Sequence, residues 1–519
     1  MLMNDRSVHS RPGRRVAEWV AQRRWPIALA AAVAVADVAV TTAGTVHGWG
    51  LSGSPVDVEA WCAAVFAVVL IVLVTGRRRW FHPLSLPLAA VAFISLAAPL
   101  WVQVTHEPVG LLYSPGDEPP GQPLATALSA TACAALVLVV FGYLAGAAAT
   151  LAVTRTTAPP AAEPAFRHRE MRTVGFALLC AGAIPQALLT LLSAGTAYGV
   201  DQLQYGLTSF LADAAAAVML AGLAVVTMAA AHTARATRLR DVLRGREWAA
   251  LCLYAVAVAA SGQRAGLIAP GLYLTWVYST RVRAIPWRWA VATLLLVLWV
   301  GAMIAHNRAD GGLSLSSPSA VAASAVGDVN SPAWLTQQTV MHVPAGTPYL
   351  HGSTYIAAAE AQLPGPVSRR LGTTSRTASA VFRDIIGFSD PNQGFAESYP
   401  SEAYLNFGLP GCLGAGLFLG ALMAWAWRKR REVVGRPRDL LYPVLLAGLV
   451  IGFRSDALTQ VKDVLYPILI VWAVMAWCRM PASGQPRPPR RPMIPPGPSF
   501  PPGPSIPPGP PGAPAPDRT

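Results

Sequence analysis

Residues 124–153 read LATALSATACAALVLVVFGYLAGAAATLAV, with no Asp, Glu, Lys, Arg or His anywhere in the run. A helix packed on a soluble core keeps a polar face opposite its apolar stripe. This stretch has none, so its surround on every side is apolar. About 20 such residues cross the roughly 30 Å hydrocarbon layer of a bilayer.

Working outward, similar blocks recur near 27–46, 58–75, 84–104, 173–192, 211–231, 248–260, 265–280, 289–305, 402–427, 440–453 and 461–478. With 53% hydrophobic and 13% charged residues, the composition is that of one integral membrane domain. The fold expected is all-α and polytopic with about 12 transmembrane helices. The first block is followed by many more and lacks a small-residue cleavage site, so it reads as a retained span. Cys62, Cys133, Cys180, Cys252, Cys412 and Cys478 lie in or beside apolar blocks without metal or redox spacing, and read as small core residues.

The net charge of +14 does not point to nucleic acid. The excess is arginine in short connections: Arg6–Arg24, Arg77–Arg79, Arg167–Arg172, Arg235–Arg246, Arg281–Arg288, Arg428–Arg438 and Arg487–Arg491. Every second connection is basic, and the alternate ones are neutral or carry acids such as Glu107, Asp117, Glu118 and Asp201. Twelve spans with both termini in the cytoplasm put every basic cluster inside.

The chain then divides into a basic cytoplasmic N-terminus (1–26), spans one to nine (27–305), a long extracytoplasmic loop (306–400), spans ten to twelve (401–480) and a cytoplasmic tail (481–519). The loop interleaves Trp334, Tyr349, Tyr355 and Tyr399 with Gly, Pro and Ser, and segments such as 351–363 suit short interfacial helices. Loops of this length are usually functional. The tail repeats Pro-Pro-Gly-Pro-Ser at 495–499 and 501–505, which predicts an extended polyproline-II segment remote from any active site.

Ionisable residues at membrane depth are candidates for function by default. Three places stand out, all on the expected outer side. Ser261-Gly-Gln-Arg264 forms a tight turn between two spans, where a plain alternative is an arginine that solvates the hairpin. Glu397-Ser-Tyr-Pro-Ser-Glu402-Ala-Tyr404-Leu-Asn406-Phe-Gly408-Leu-Pro-Gly411 runs from the loop into span ten. Glu402 and Asn406 lie one turn apart on one face, with Gly408 and Gly411 allowing close helix approach. Here the plain alternative is a carboxylate capping its own helix. Arg454-Ser-Asp456 occupies the last outer turn, where a self-neutralising pair is the alternative. Arg264, Arg308, Arg369, Arg370, Arg376, Arg383 and Arg454 gather outside against the general rule, and guanidinium forks suit phosphate oxygens. His306, His342 and His351 are further bases without metal-ligand spacing. No P-loop, dinucleotide fingerprint or zincin motif is present, so no cofactor and no metal are expected.

At these residues the chain resembles the bacterial oligosaccharide repeat-unit polymerases, the O-antigen polymerase (Wzy-type) family. The likeness covers roughly 250–470. It rests, in order, on the 261–264 turn, Pro348-Tyr-Leu-His-Gly352-Ser-Thr-Tyr355, the Pro364–Arg370 element, Ser401-Glu402-Ala-Tyr404-Leu-Asn406-Phe-Gly408 and an arginine in the last outer turn. The resemblance implies inverting glycosyl transfer at the extracytoplasmic face of the cell membrane, from an undecaprenyl-pyrophosphate-linked glycan to a sugar hydroxyl of another lipid-linked repeat. Arg264, Arg369, Arg370 and Arg454, with Tyr404 and Asn406, would bind substrate. Glu402 is the first choice to take the acceptor proton, with Glu397 and His342 behind it. The implied partners are the lipid bilayer, the lipid-linked glycan, a flippase and a chain-length regulator. A lipid-linked sugar transporter or flippase, and a ligase that passes finished glycan to another acceptor, are the competing readings.

Overall fold

The computed structural model describes residues 81–105, 109–110, 125–126, 128–153, 166–192, 209–231, 238–261, 265–283, 285–286, 331–362, 376–387, 397–429, 437–452 and 455–479. The expected spans at 27–46, 58–75 and 289–305, the N-terminus and the tail lie outside them.

Each of the other expected spans is a helix: α1 (Leu86–Thr105), α2 (Ala130–Ala152), α3 (His168–Leu192), α4 (Ser209–Ala231), α5 (Gly245–Ala260), α6 (Ala265–Arg281), α9 (Tyr399–Lys429), α10 (Pro437–Gly452) and α11 (Ala457–Trp477). Between α6 and α9 lie a helix over 331–342 and the short α7 (Ser353–Glu360) and α8 (Ala378–Ile385). Val109–Gly110 and Ala125–Thr126 pair as a two-residue antiparallel ribbon between α1 and α2. Among the described residues, α2, α3, α9 and α11 are long and apolar enough to cross a membrane. Ile184, Leu188, Leu191 and Leu192 on α3, Phe418 on α9, and Trp472 and Trp477 on α11 point outward. Such faces suit a hydrocarbon surround better than water.

The charge-free run 124–153 contains the central helix, α2. Ser129 caps α2 by accepting from Ala132 N (3.2 Å), and nearly all of the helix is enclosed by its neighbours. It packs backbone to backbone against α9 through two Gly-x-x-x-Gly pairs. A Cβ on Gly142 or Gly146 would come within 2.4 and 2.1 Å of Leu413 O and Leu417 O. On the facing helix, one on Gly416 or Gly420 would come within 2.3 and 2.1 Å of Val139 O and Tyr143 O. In lipid, where tails are as apolar as leucine, close van der Waals contact of this kind holds helices together.

The two ends of the bundle differ. At one end α11 finishes beside the start of α3, where Arg167 N donates to Cys478 O (3.1 Å). There Arg172 grips Glu247 of α5 with Nε on Oε1 and Nη2 on Oε2, both 2.8 Å, and its Nη2 also donates to Val242 O (3.1 Å). Arg428 donates to the carbonyls of Thr150 and Val153 where α2 and α9 end. At the other end, where α11 begins, the 331–342 helix, α7 and α8 lie over the starts of α2, α9 and α11. Ser129 N donates to Gln337 (2.7 Å), and Trp334 and Phe382 meet edge to face above α2.

Candidate functional site

The start of α9 is dictated locally. Ser398 caps it, its carbonyl accepting from Glu402 N (2.9 Å) and its hydroxyl from Ser401 N (3.4 Å). Pro400 sits in the first turn, where a missing N–H costs nothing. Ten residues later Pro410 has no N–H to offer Asn406 O, and Gly408 turns to φ 64°, ψ −152°. The freed carbonyls of Leu405 and Asn406 are taken by Leu350 N (3.1 Å) and His351 N (3.0 Å), so segment 349–352 crosses the break. Gly408 and Gly411 therefore serve this kink rather than contact between two helices. A Cβ at 408 would lie 2.9 Å from the Tyr349 hydroxyl, and one at 411 would strike Ala403 O of its own helix at 2.4 Å.

Glu402 and Asn406 do share a face, and a third residue joins them. Thr354 of α7 donates to Glu402 Oε1 (2.7 Å) and accepts from Asn406 Nδ2 (2.7 Å). Asn406 Nδ2 also donates to Glu402 O (2.8 Å), and its Oδ1 accepts from Gly352 N (2.9 Å). The other Glu402 oxygen accepts from Ala457 N (2.7 Å), the first amide of α11. Glu402 is thus a cap, as the plain alternative had it, but of a different helix. Asp456 shares that helix start: Oδ1 accepts from Thr459 N (3.1 Å) and its hydroxyl (2.8 Å), and Oδ2 from Ser379 of α8 (3.0 Å). Two carboxylates on one N-terminus are offset by the exposed amides and positive dipole end there.

Glu397 is treated quite differently. It is 0% exposed, and neither carboxylate oxygen has a hydrogen-bond partner among the described residues. Burial pushes its carboxyl well above the usual range; the nearby Ser401 hydroxyl, whose own bonds run to Thr339 and Leu335 O, offsets this in part without bonding it, and Glu402 and Asp456 add to it. Ser401 itself is shared with the roof, its hydroxyl 2.6 Å from Thr339 Oγ1. Burial likewise raises the Tyr355 hydroxyl, with Glu402 contributing. The start of α9 is therefore a buried, negatively biased node roofed by the loop.

His342 lies one turn beyond Thr339, half-buried, with Nδ1 donating to Gln338 O (2.8 Å), which leaves Nε2 as the nitrogen able to accept a proton. Tyr404 is buried in an edge-to-face contact with Tyr349. Arg264, Arg308, Arg369, Arg370, Arg454 and His306 lie outside the described residues. Of the other arginines expected on the outer side, Arg376 is exposed and paired with Asp384. Thr354, Ser379 and Thr339 carried no role in the sequence reading. Each meets its partner across 48, 77 and 62 positions, and only the Gly352-Ser-Thr-Tyr355 stretch of the resemblance pointed near one of them. No cluster of three or more His, Cys, Asp or Glu side chains among the described residues is arranged to hold a metal ion.

No protein-family model, no curated protein and no solved structure matches this chain.

Proposed function

We propose that this protein is a twelve-span, N-in/C-in membrane glycosyltransferase that polymerises undecaprenyl-pyrophosphate-linked oligosaccharide repeats on the outer side of the cytoplasmic membrane. The observation that carries the reading is the node itself, where the long loop closes over the ends of apolar helices and a fully buried carboxyl without a partner among the described residues sits beside two engaged ones. That is the place a lipid-borne sugar and its acceptor meet in the proposed reaction.

The acceptor hydroxyl attacks the anomeric carbon, its proton passes to a base, and the bond to pyrophosphate breaks with inversion. Pyrophosphate leaves readily, so the work of the protein is to orient, to neutralise the leaving group and to accept one proton. Arg264, Arg369, Arg370 and Arg454 are proposed for the leaving group. For the proton, Glu397 now stands ahead of Glu402, because both Glu402 oxygens already accept bonds that pin α7 to α11. Glu402, Asn406 and Thr354 become positioning residues, and His342 Nε2 is the second candidate base.

The test is glycan length in cells that make the lipid-linked repeat. Arg264→Ala and Arg454→Ala should leave single repeats accumulating, and the Lys variants should recover little where a planar fork is needed. Normal chain lengths at normal protein levels in all four variants would overturn the reading.

A further inference from the structure

We propose that Glu397 is a protonation latch for the outer roof, neutral while the 331–342 helix, α7 and α8 are closed over it and ionised when they lift. The surroundings of Glu397 among the described residues carry the first half. A carboxylate withdrawn from water without a hydrogen bond or counter-charge gives up its charge rather than bear the desolvation cost. Among the described residues the charged groups that act on Glu397 are Glu402 from α9 and Asp456 from the start of α11, and both are acids. The roof presents neutral polar groups here: Thr339 and the Pro332 carbonyl from the 331–342 helix, Thr354 and Tyr355 from α7, and Ser379 from α8.

The second half follows from how the roof is fastened. Among the contacts that hold it to the helix starts are Thr339 to Ser401, Ser398 to Pro332 O, Thr354 to Glu402 and Ser379 to Asp456. The last two end on the very carboxylates that would repel a charged Glu397. A negative charge on Glu397 therefore loosens the roof at its anchors, and a lifted roof admits the water that stabilises the charge. Glu397 titrates higher in the closed form than in the open one. The closed form is accordingly most stable below the ordinary glutamate value of about 4.3, and loses stability as pH rises from there through the closed-state value. In catalysis, a consequence that rests on the glycosyl-transfer reading, one event would both open the site and turn Glu397 into a base.

Hydrogen exchange on the full-length protein in nanodiscs tests the latch without reference to activity. Protection, corrected for intrinsic exchange, should fall in 350–356 and 457–460 between about pH 5 and about pH 8, by up to about tenfold per unit for a single proton. Segment 245–250 at the opposite end should show no such slope. Glu397→Gln, which copies the neutral acid, should flatten the slope at the roof. Equal protection at both pH values in the unaltered protein overturns the latch whether or not the variant accumulates, and a slope in Glu397→Gln as steep as in the unaltered protein overturns it too. Failure of the glycan-length test with the slope intact would remove the polymerase reading and leave the latch standing. A flat slope with the arginine variants defective would do the reverse.

Discussion

Glu247 and Glu397 are both glutamates withdrawn from solvent beside the start of a helix, at opposite ends of the bundle. Glu247 has everything an ionised carboxylate needs: the Arg172 fork on its two oxygens and the Arg244 amide at 2.7 Å. Glu397 has no partner among the described residues and two acids for neighbours. A completed ion pair in the interior fixes geometry and does nothing else. A buried acid left incomplete costs stability, and such a cost is carried where a group must change protonation state or meet something absent from the resting fold. On the proposed reading the basic end is the frame and the loop end the working part.

The largest expected effect tests the frame. Arg172→Ala leaves Glu247 buried without its counter-charge and should cost about 3–5 kcal/mol. Thermal unfolding in detergent would show it as a large drop in Tm, only partly restored by Arg172→Lys, since an ammonium cannot hold both oxygens and Val242 O together. An unchanged Tm would erase the contrast between the two ends. Next comes Thr354→Val, which removes the donor to Glu402 and the acceptor for Asn406 while keeping shape. It should cost about 1–3 kcal/mol and raise exchange in α7 before any other element.

What the chain disclosed in advance follows from the range of the interactions concerned. Apolar blocks are local, so α2, α3, α9 and α11 were legible from residues 124–153 outward. The Gly-x-x-x-Gly pairs of α2 and α9 were equally written in the text, yet Gly408 and Gly411 drew attention because they adjoin the polar segment. Pro410 two residues on was the sign that this glycine sits at a break. Glu397, Glu402 and Asn406 stood out as polar groups at a membrane boundary. Their division of labour did not, because it depends on Thr354 and Ala457, 48 and 55 positions from Glu402. For the same reason Arg172 read as one more cytoplasmic charge, its partner lying 75 positions away.

A smaller effect sharpens the loop end. Glu397→Gln should match the unaltered protein most closely near about pH 5 and gain on it as pH rises. The difference would be on the order of 1.4 kcal/mol for each unit by which the closed state raises the titration. The sign comes from the raised value: the native fold prefers the proton, so deprotonating conditions penalise Glu and leave Gln untouched. Parallel stability curves for the two proteins from about pH 5 to about pH 8 would mean that Glu397 is not held neutral.

The smallest effect separates a cap from a charge. Asparagine caps helices about as well as aspartate, so Asp456→Asn should hold Thr459 N through its carbonyl oxygen and turn its amide toward the Ser379 hydroxyl, with a stability change within about 0.5 kcal/mol. What it removes is one of the two negative charges that bear on Glu397. Glu397 should then titrate closer to the ordinary carboxylate range in the closed form, and the pH-dependent loosening of 350–356 should shrink in amplitude without disappearing, because burial and Glu402 remain. Asp456→Ala loses cap and charge together and should cost about 1 kcal/mol more than the Asn variant. If Asn and Ala behave alike, the carboxylate matters only as a cap. If Asn leaves the exchange slope of the roof untouched while preserving stability, Asp456 does not act on Glu397, and the latch rests on Glu402 alone.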